Sequence, residues 1–155
     1  MTRFFAVPAL CAAILAATGC GFNSSPADNL TFKPPSGWQG SPGIMGFMQL
    51  WKAPNRSDEV LMLFKSPRPI QPSDVFSNAD LKDAKVEKVQ HITICNNQPA
   101  QLLTAQGTRG QGKDSIVDMV MSDAGGATYM AMYVYPVGGL PNGEATAALR
   151  ELCTK

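Results

Sequence analysis

Apolar residues along this chain fall mostly in short runs or alternate with polar ones, which is the pattern of strands. Residues 30–33 make a first short strand, ended by Pro34-Pro35, and Ser36-Gly37-Trp38 follows as a turn. Residues 43–52, GIMGFMQLWK, and 59–65, EVLMLFK, flank the turn APNRSD and form a hairpin. Residues 66–72 carry three prolines and read as loop. The pattern then changes: Ser73 offers an N-cap, and Val75, Phe76, Ala79 and Leu81 recur near helical spacing, so a helix is expected over 73–83. Strands return at 86–95 and 98–107 about the turn Asn96-Asn97, and at 114–122 and 127–135 about Asp123-Ala124-Gly125-Gly126. Pro136, Gly138, Gly139 and Pro141 break the sheet. Asn142 is suited to an N-cap, and Ala145, Ala148, Leu149 and Leu152 form one stripe of a last helix over 144–153. Strands joined by short turns are antiparallel. The fold class is therefore α+β: a largely antiparallel sheet of about six or seven strands with two helices.

The N-terminus differs from this pattern. Arg3 precedes an apolar run over residues 4–17, too short to span a bilayer comfortably, and small residues follow. That order describes a secretory signal peptide over 1–19. The stretch LAATGC resembles the lipobox of bacterial lipoproteins, with Ala17 where that pattern usually carries Leu. The resemblance implies that Cys20 becomes the first mature residue and carries lipid. Residues 20–29 are then a small, polar tether, and 30–155 a single domain. In a cell with two membranes, Gly21 after the anchor, rather than Asp, favours the outer one by resemblance to lipoprotein sorting. The Asn-x-Ser/Thr triplets at Asn23, Asn29 and Asn55 are coincidental in such a chain.

Export changes the meaning of the cysteines. Of four, Cys11 lies in the removed segment and Cys20 is the anchor. Cys95 and Cys153 remain, enough for one disulfide in an oxidising compartment. The whole chain has 13 basic and 12 acidic residues, and cleavage removes Arg3, so the mature charge balances. Nothing in this balance suggests nucleic acid.

PPSGW at 34–38, hairpins about a helix, and a final helix after a long hairpin together resemble the PsbP/Mog1/LpqN group of α/β/α sandwich domains. The resemblance covers most of residues 30–155. It implies a small binding or assembly module, and several members are exported lipoproteins. No specific motif carries the group's functional residues onto this chain.

Four features suggest chemistry. Gly107, Gly112 and Lys113 have the spacing of a phosphate-binding loop, G-x-x-x-x-G-K. Asp114 stands where Ser or Thr is needed, Ser115 is one place late, and a strand follows instead of a helix. No nucleotide is expected. Met119, Met121, Met130 and Met132 share one hairpin face with Val117 and Val134. If Ser122 pairs with Ala127, Met119 lies opposite Met130, and Met121 opposite Thr128. The face reads as core, with a soft-metal (copper) site as the alternative. The other face carries Ile116, Asp118, Val120, Tyr129, Tyr133 and Tyr135, which form either a second packed layer or an exposed patch for a partner or ligand. His91, the only histidine, is about 13 Å along a strand from Cys95, too far for a dyad. Asp58-Glu59 reads as part of a turn, and no nucleophile motif is present. The expected protein is a membrane-anchored envelope lipoprotein without enzymatic activity or cofactor. It would bind an unidentified protein or small ligand.

Overall fold

The computed structural model describes residues 30–43, 47–78, 81–110 and 112–154. The signal segment, Cys20 and the tether lie outside the described residues. The strands are β1 (Leu30–Thr31), β2 (Gln39–Pro42), β3 (Phe47–Ala53), β4 (Arg56–Ser66), β5 (Leu81–Ile94), β6 (Gln98–Arg109), β7 (Lys113–Ala124), β8 (Ala127–Pro136) and β9 (Cys153–Thr154). The helices are α1 (Pro72–Asn78) and α2 (Gly143–Leu149). Seven strands form one sheet in the order β2-β3-β4-β8-β7-β6-β5, while β1 and β9 pair separately. Neighbours in both sheets are antiparallel. This is the expected α+β architecture.

The two apolar faces of the β7–β8 hairpin each have a cover. α1 lies over the methionine face, where Val75 and Phe76 join Met62, Leu103 and Val117. α2 and the β1–β9 pair cover the tyrosine face, where Leu30, Phe32, Ala145, Leu149 and Leu152 meet Leu61, Leu63 and Val120. β8 is central and buried from Ala127 to Tyr135, because both of its faces have a layer above them.

Some boundaries differ from the sequence reading. α1 ends at Asn78, and Leu81 starts β5 instead of continuing a helix. Leu81 packs against Gly107, where a Cβ would come within 2.8 Å of the leucine side chain. α2 stops at Leu149, so Cys153 lies in β9 and not on the helix. Its position is fixed by Cys95 and by Gln98. The Gln98 amide donates to the Thr154 carbonyl (2.9 Å), and its oxygen accepts from the Thr154 hydroxyl (2.7 Å). Such bonds favour extended chain over another helical turn. The β7–β8 register is also shifted: Ala124 faces Ala127, Met119 faces Met132, and Met121 faces Met130. The turn is the pair Gly125-Gly126, both at positive φ, as a tight hairpin requires.

Candidate functional site

The loop expected over 107–113 is much smaller in the fold. β6 runs to Arg109 and β7 begins at Lys113, so Lys113 is the first residue of a strand. A phosphate cradle needs a glycine-rich turn feeding a helix, and this turn feeds none.

The tyrosine face is closed. Tyr129, Tyr133 and Tyr135 are buried, as is Val120, while Ile116 and Asp118 are half-buried. Of the two alternatives for these residues, the packed layer is the one formed, and they are not an exposed patch for a partner or ligand. Tyr133 and Tyr135 stack with centroids 4.9 Å apart, and Trp38 of PPSGW meets Tyr133 edge-on at 6.1 Å. Two hydrogen-bonded groups serve the buried hydroxyls. The Tyr135 hydroxyl donates to Asp118 Oδ2 (3.2 Å), whose Oδ1 accepts from Thr104 (2.7 Å). Burial, then the negative charge of Asp118, push the Tyr135 pKa up to about 12. The Tyr133 hydroxyl donates to Glu59 Oε2 (2.9 Å) and accepts from the Asn142 amide (2.9 Å). Arg56 bonds Glu59 Oε1 (2.5 Å) and the Leu140 carbonyl (3.2 Å). Burial raises the Tyr133 pKa as well, and Glu59 reinforces the shift. Sequence reading missed Glu59, which is 1% exposed.

The methionine face is mostly closed too. Met119, Met130 and Met132 are fully buried in the layer under α1. An ion reaching those three sulfurs would have to displace close-packed apolar side chains, so at these positions the face is core, as expected, and the four-methionine metal site given as the alternative is not formed. Met121 differs. It is 8% exposed and lines a cleft of about 280 Å³ at the end of the sheet where α1 begins. Gln71, His91, Gln101 and Asp123 also line it. His91 pairs with Gln101 on β6, and Gln101 pairs with Met121 on β7. The three residues form one row across the sheet and emerge on the same face. The cleft thus offers an imidazole, two amides, a thioether and a carboxylate. Among the described residues, no three His, Cys, Asp or Glu side chains form a metal cluster.

No protein-family model matches the sequence, and neither does any curated protein. Solved structures do match. A crystal structure from Bacteroides thetaiotaomicron superposes with a TM-score of 0.58 at 13% identity, over 85% of this chain. This chain spans 47% of that one. The solution structure of cyanobacterial PsbP (CyanoP) from Synechocystis superposes with a TM-score of 0.53 at 16% identity, covering 81% of this chain and 88% of CyanoP. The fold is PsbP-like. At these identities the likeness shows the fold alone.

On the PsbP-like sheet, the residues singled out from sequence separate by role. The tyrosines and three methionines make the two cores. Cys95 and Cys153 come together with Cα atoms 5.3 Å apart and are joined as a disulfide. The cleft is assembled from residues of separate elements, and a strand-by-strand reading had no means of grouping His91 with Met121. Their pairing through Gln101 needs the β5–β6–β7 register, which bulges in β5 displace near Lys85 and Lys88.

Proposed function

We propose that this chain is a lipid-anchored binding module of the cell envelope, facing outside the cytoplasm, and that its cleft holds a small ligand or part of a partner. The Cys95–Cys153 disulfide carries the reading of the compartment, because structural disulfides persist where the surroundings are oxidising. The apolar run ending in LAATGC supports export and attachment through Cys20, and Gly21 favours the outer membrane of a two-membrane cell. A binding role is supported by how the ionisable side chains are used. Glu59 and Asp118 both spend their oxygens on holding strands and α2 together. The side chains of Gln71, His91, Gln101 and Asp123 meet at the cleft, and clefts are where small-molecule and peptide sites are commonly found.

Two experiments test the two halves. Labelled palmitate supplied to cells should enter the wild-type chain and be lost on Cys20→Ser; label that survives the substitution rejects the anchor. A photo-cross-linking residue at Gln101, introduced in the intact envelope, should give an adduct that the same residue at Lys52 does not. Identical labelling from both positions rejects the cleft as the binding site.

A further inference from the structure

We propose that the cleft binds one soft monovalent metal ion, Cu(I) or Ag(I), between the imidazole of His91 and the thioether of Met121. The inference rests on the cleft being the site of binding, and not on the lipid anchor.

The row His91–Gln101–Met121 sets the geometry. Each step between neighbouring strands is about 4.8 Å, so the outer two Cα atoms are roughly 10 Å apart. Both side chains leave the same face and line the same cleft. The reach of the two side chains together with two metal–ligand bonds of about 2 Å each is enough to span that separation. Gln101 lies between them, and its amide oxygen is available as a weak third donor.

The donor set selects the ion. A thioether is soft and favours Cu(I), and imidazole suits copper as well. Calcium and magnesium require several oxygen donors, of which this wall supplies one carboxylate, Asp123. That carboxylate already accepts the Thr128 hydroxyl. It adds one negative charge near a monovalent cation without filling the site with hard ligands.

Met121 is also the methionine placed to do this. Met119, Met130 and Met132 are fully buried in the core cluster that includes Val75 and Phe76 of α1, while Met121 lines the cleft. A methionine side chain has three rotatable bonds, so its sulfur can swing towards the cleft without moving the sheet. His91 is exposed on β5, at the edge of the sheet, and can turn inwards at little cost in packing.

The test is a Cu(I) titration of the full-length chain in detergent, with free thiols blocked by N-ethylmaleimide, in competition with the chelator bicinchoninate. The chain should withdraw one Cu(I) per molecule. His91→Ala and Met121→Leu should each weaken binding by roughly tenfold or more, since even losing a group that only supports a ligand costs about that much. Met119→Leu should leave it unchanged. In the wild-type chain, Ag(I) should shift the Met121 methyl resonance and leave that of Met119 in place. The proposal is overturned if the metal stays with the chelator, or if binding survives both ligand substitutions. Should Met121→Leu not fold, His91→Ala and the methyl shift decide the matter. A cross-link from Gln101 together with no Cu(I) uptake would reject the metal and leave the cleft as the binding site.

Discussion

Glu59 lies on the same side of β4 as Leu61 and Leu63, and is carried into the core with them. A buried carboxylate is costly unless its oxygens are occupied. Arg56 takes one and Tyr133 the other, while the Tyr133 oxygen accepts the Asn142 amide at the start of α2. Tyr133→Phe removes a donor to Glu59 and strands that amide. It should cost about 1–3 kcal/mol, read as a lower urea midpoint with an unchanged slope. Asp58-Glu59 had the look of a turn because two acidic residues follow APNRS. Counting back by twos from Leu63 and Leu61 puts Glu59 inside, so this part was legible and was missed. The phenols set a pH limit. The folded chain keeps the Tyr135 proton up to about 12, whereas an unfolded tyrosine loses it near 10. Between those values the unfolded state binds fewer protons, so stability is full below about pH 10 and falls as pH rises from there towards about 12. Tyr133 acts in the same direction. Urea midpoints should decline across that window and do so less steeply in Tyr135→Phe; parallel profiles would show that Tyr135 is not responsible.

Hairpins were the most legible elements, because alternation is a strong signal and glycine pairs mark the turns. In β7–β8 the register expected from Ser122 and Ala127 was off by two residues, yet each face kept its residues. Side chains alternate with period two, so an even shift changes partners but not sides. The elements missed were those with no pattern of their own. β2, QGSP, is an exposed edge strand defined only by pairing with β3, and Gly40 there admits the Trp51 ring, 3.1 Å from where a Cβ would stand. β9 is two residues long. Leu81 misled in the other direction: its spacing from Val75 and Phe76 suited a helix, but its packing partner is the strand residue Gly107. The β7–β8 turn gives a prediction at this scale. Gly125 and Gly126 both have positive φ, and nothing lies within 4 Å of a Cβ at either. Gly125→Asn should therefore be close to neutral, since Asn-Gly suits this turn. Gly126→Val should lose about 1–2 kcal/mol, because a β-branched residue resists the left-handed region. Thermal melts of the two variants decide between backbone conformation and space.

One end of the described fold is closed by β9. β1 pairs with β9, Thr154 is bound by Gln98, and Cys153 is bonded to Cys95 at the β5–β6 turn. The described chain therefore begins beside the point where it finishes. The cleft lined by Pro99 and Asp123 lies at the same end of the sheet. Two paired dipeptides are too short to hold together by backbone bonds alone. Their attachment depends on the disulfide, on Gln98, and on burial of Leu30 and Leu152 in the core beneath α2. The disulfide joins residues 58 positions apart. In the chain-entropy model a closed loop of that size stabilises by about 4 kcal/mol, since the unfolded chain loses that much freedom. The Cys95→Ala, Cys153→Ala variant should lose a comparable amount in urea. Hydrogen exchange at Leu30 and Thr154 should accelerate more than at the central strand β8, because the end opens locally before the sheet unfolds. Wild type held in reductant should match the variant. Uniform acceleration across the sheet and the β1–β9 pair would mean instead that the clasp and the seven strands unfold as one unit.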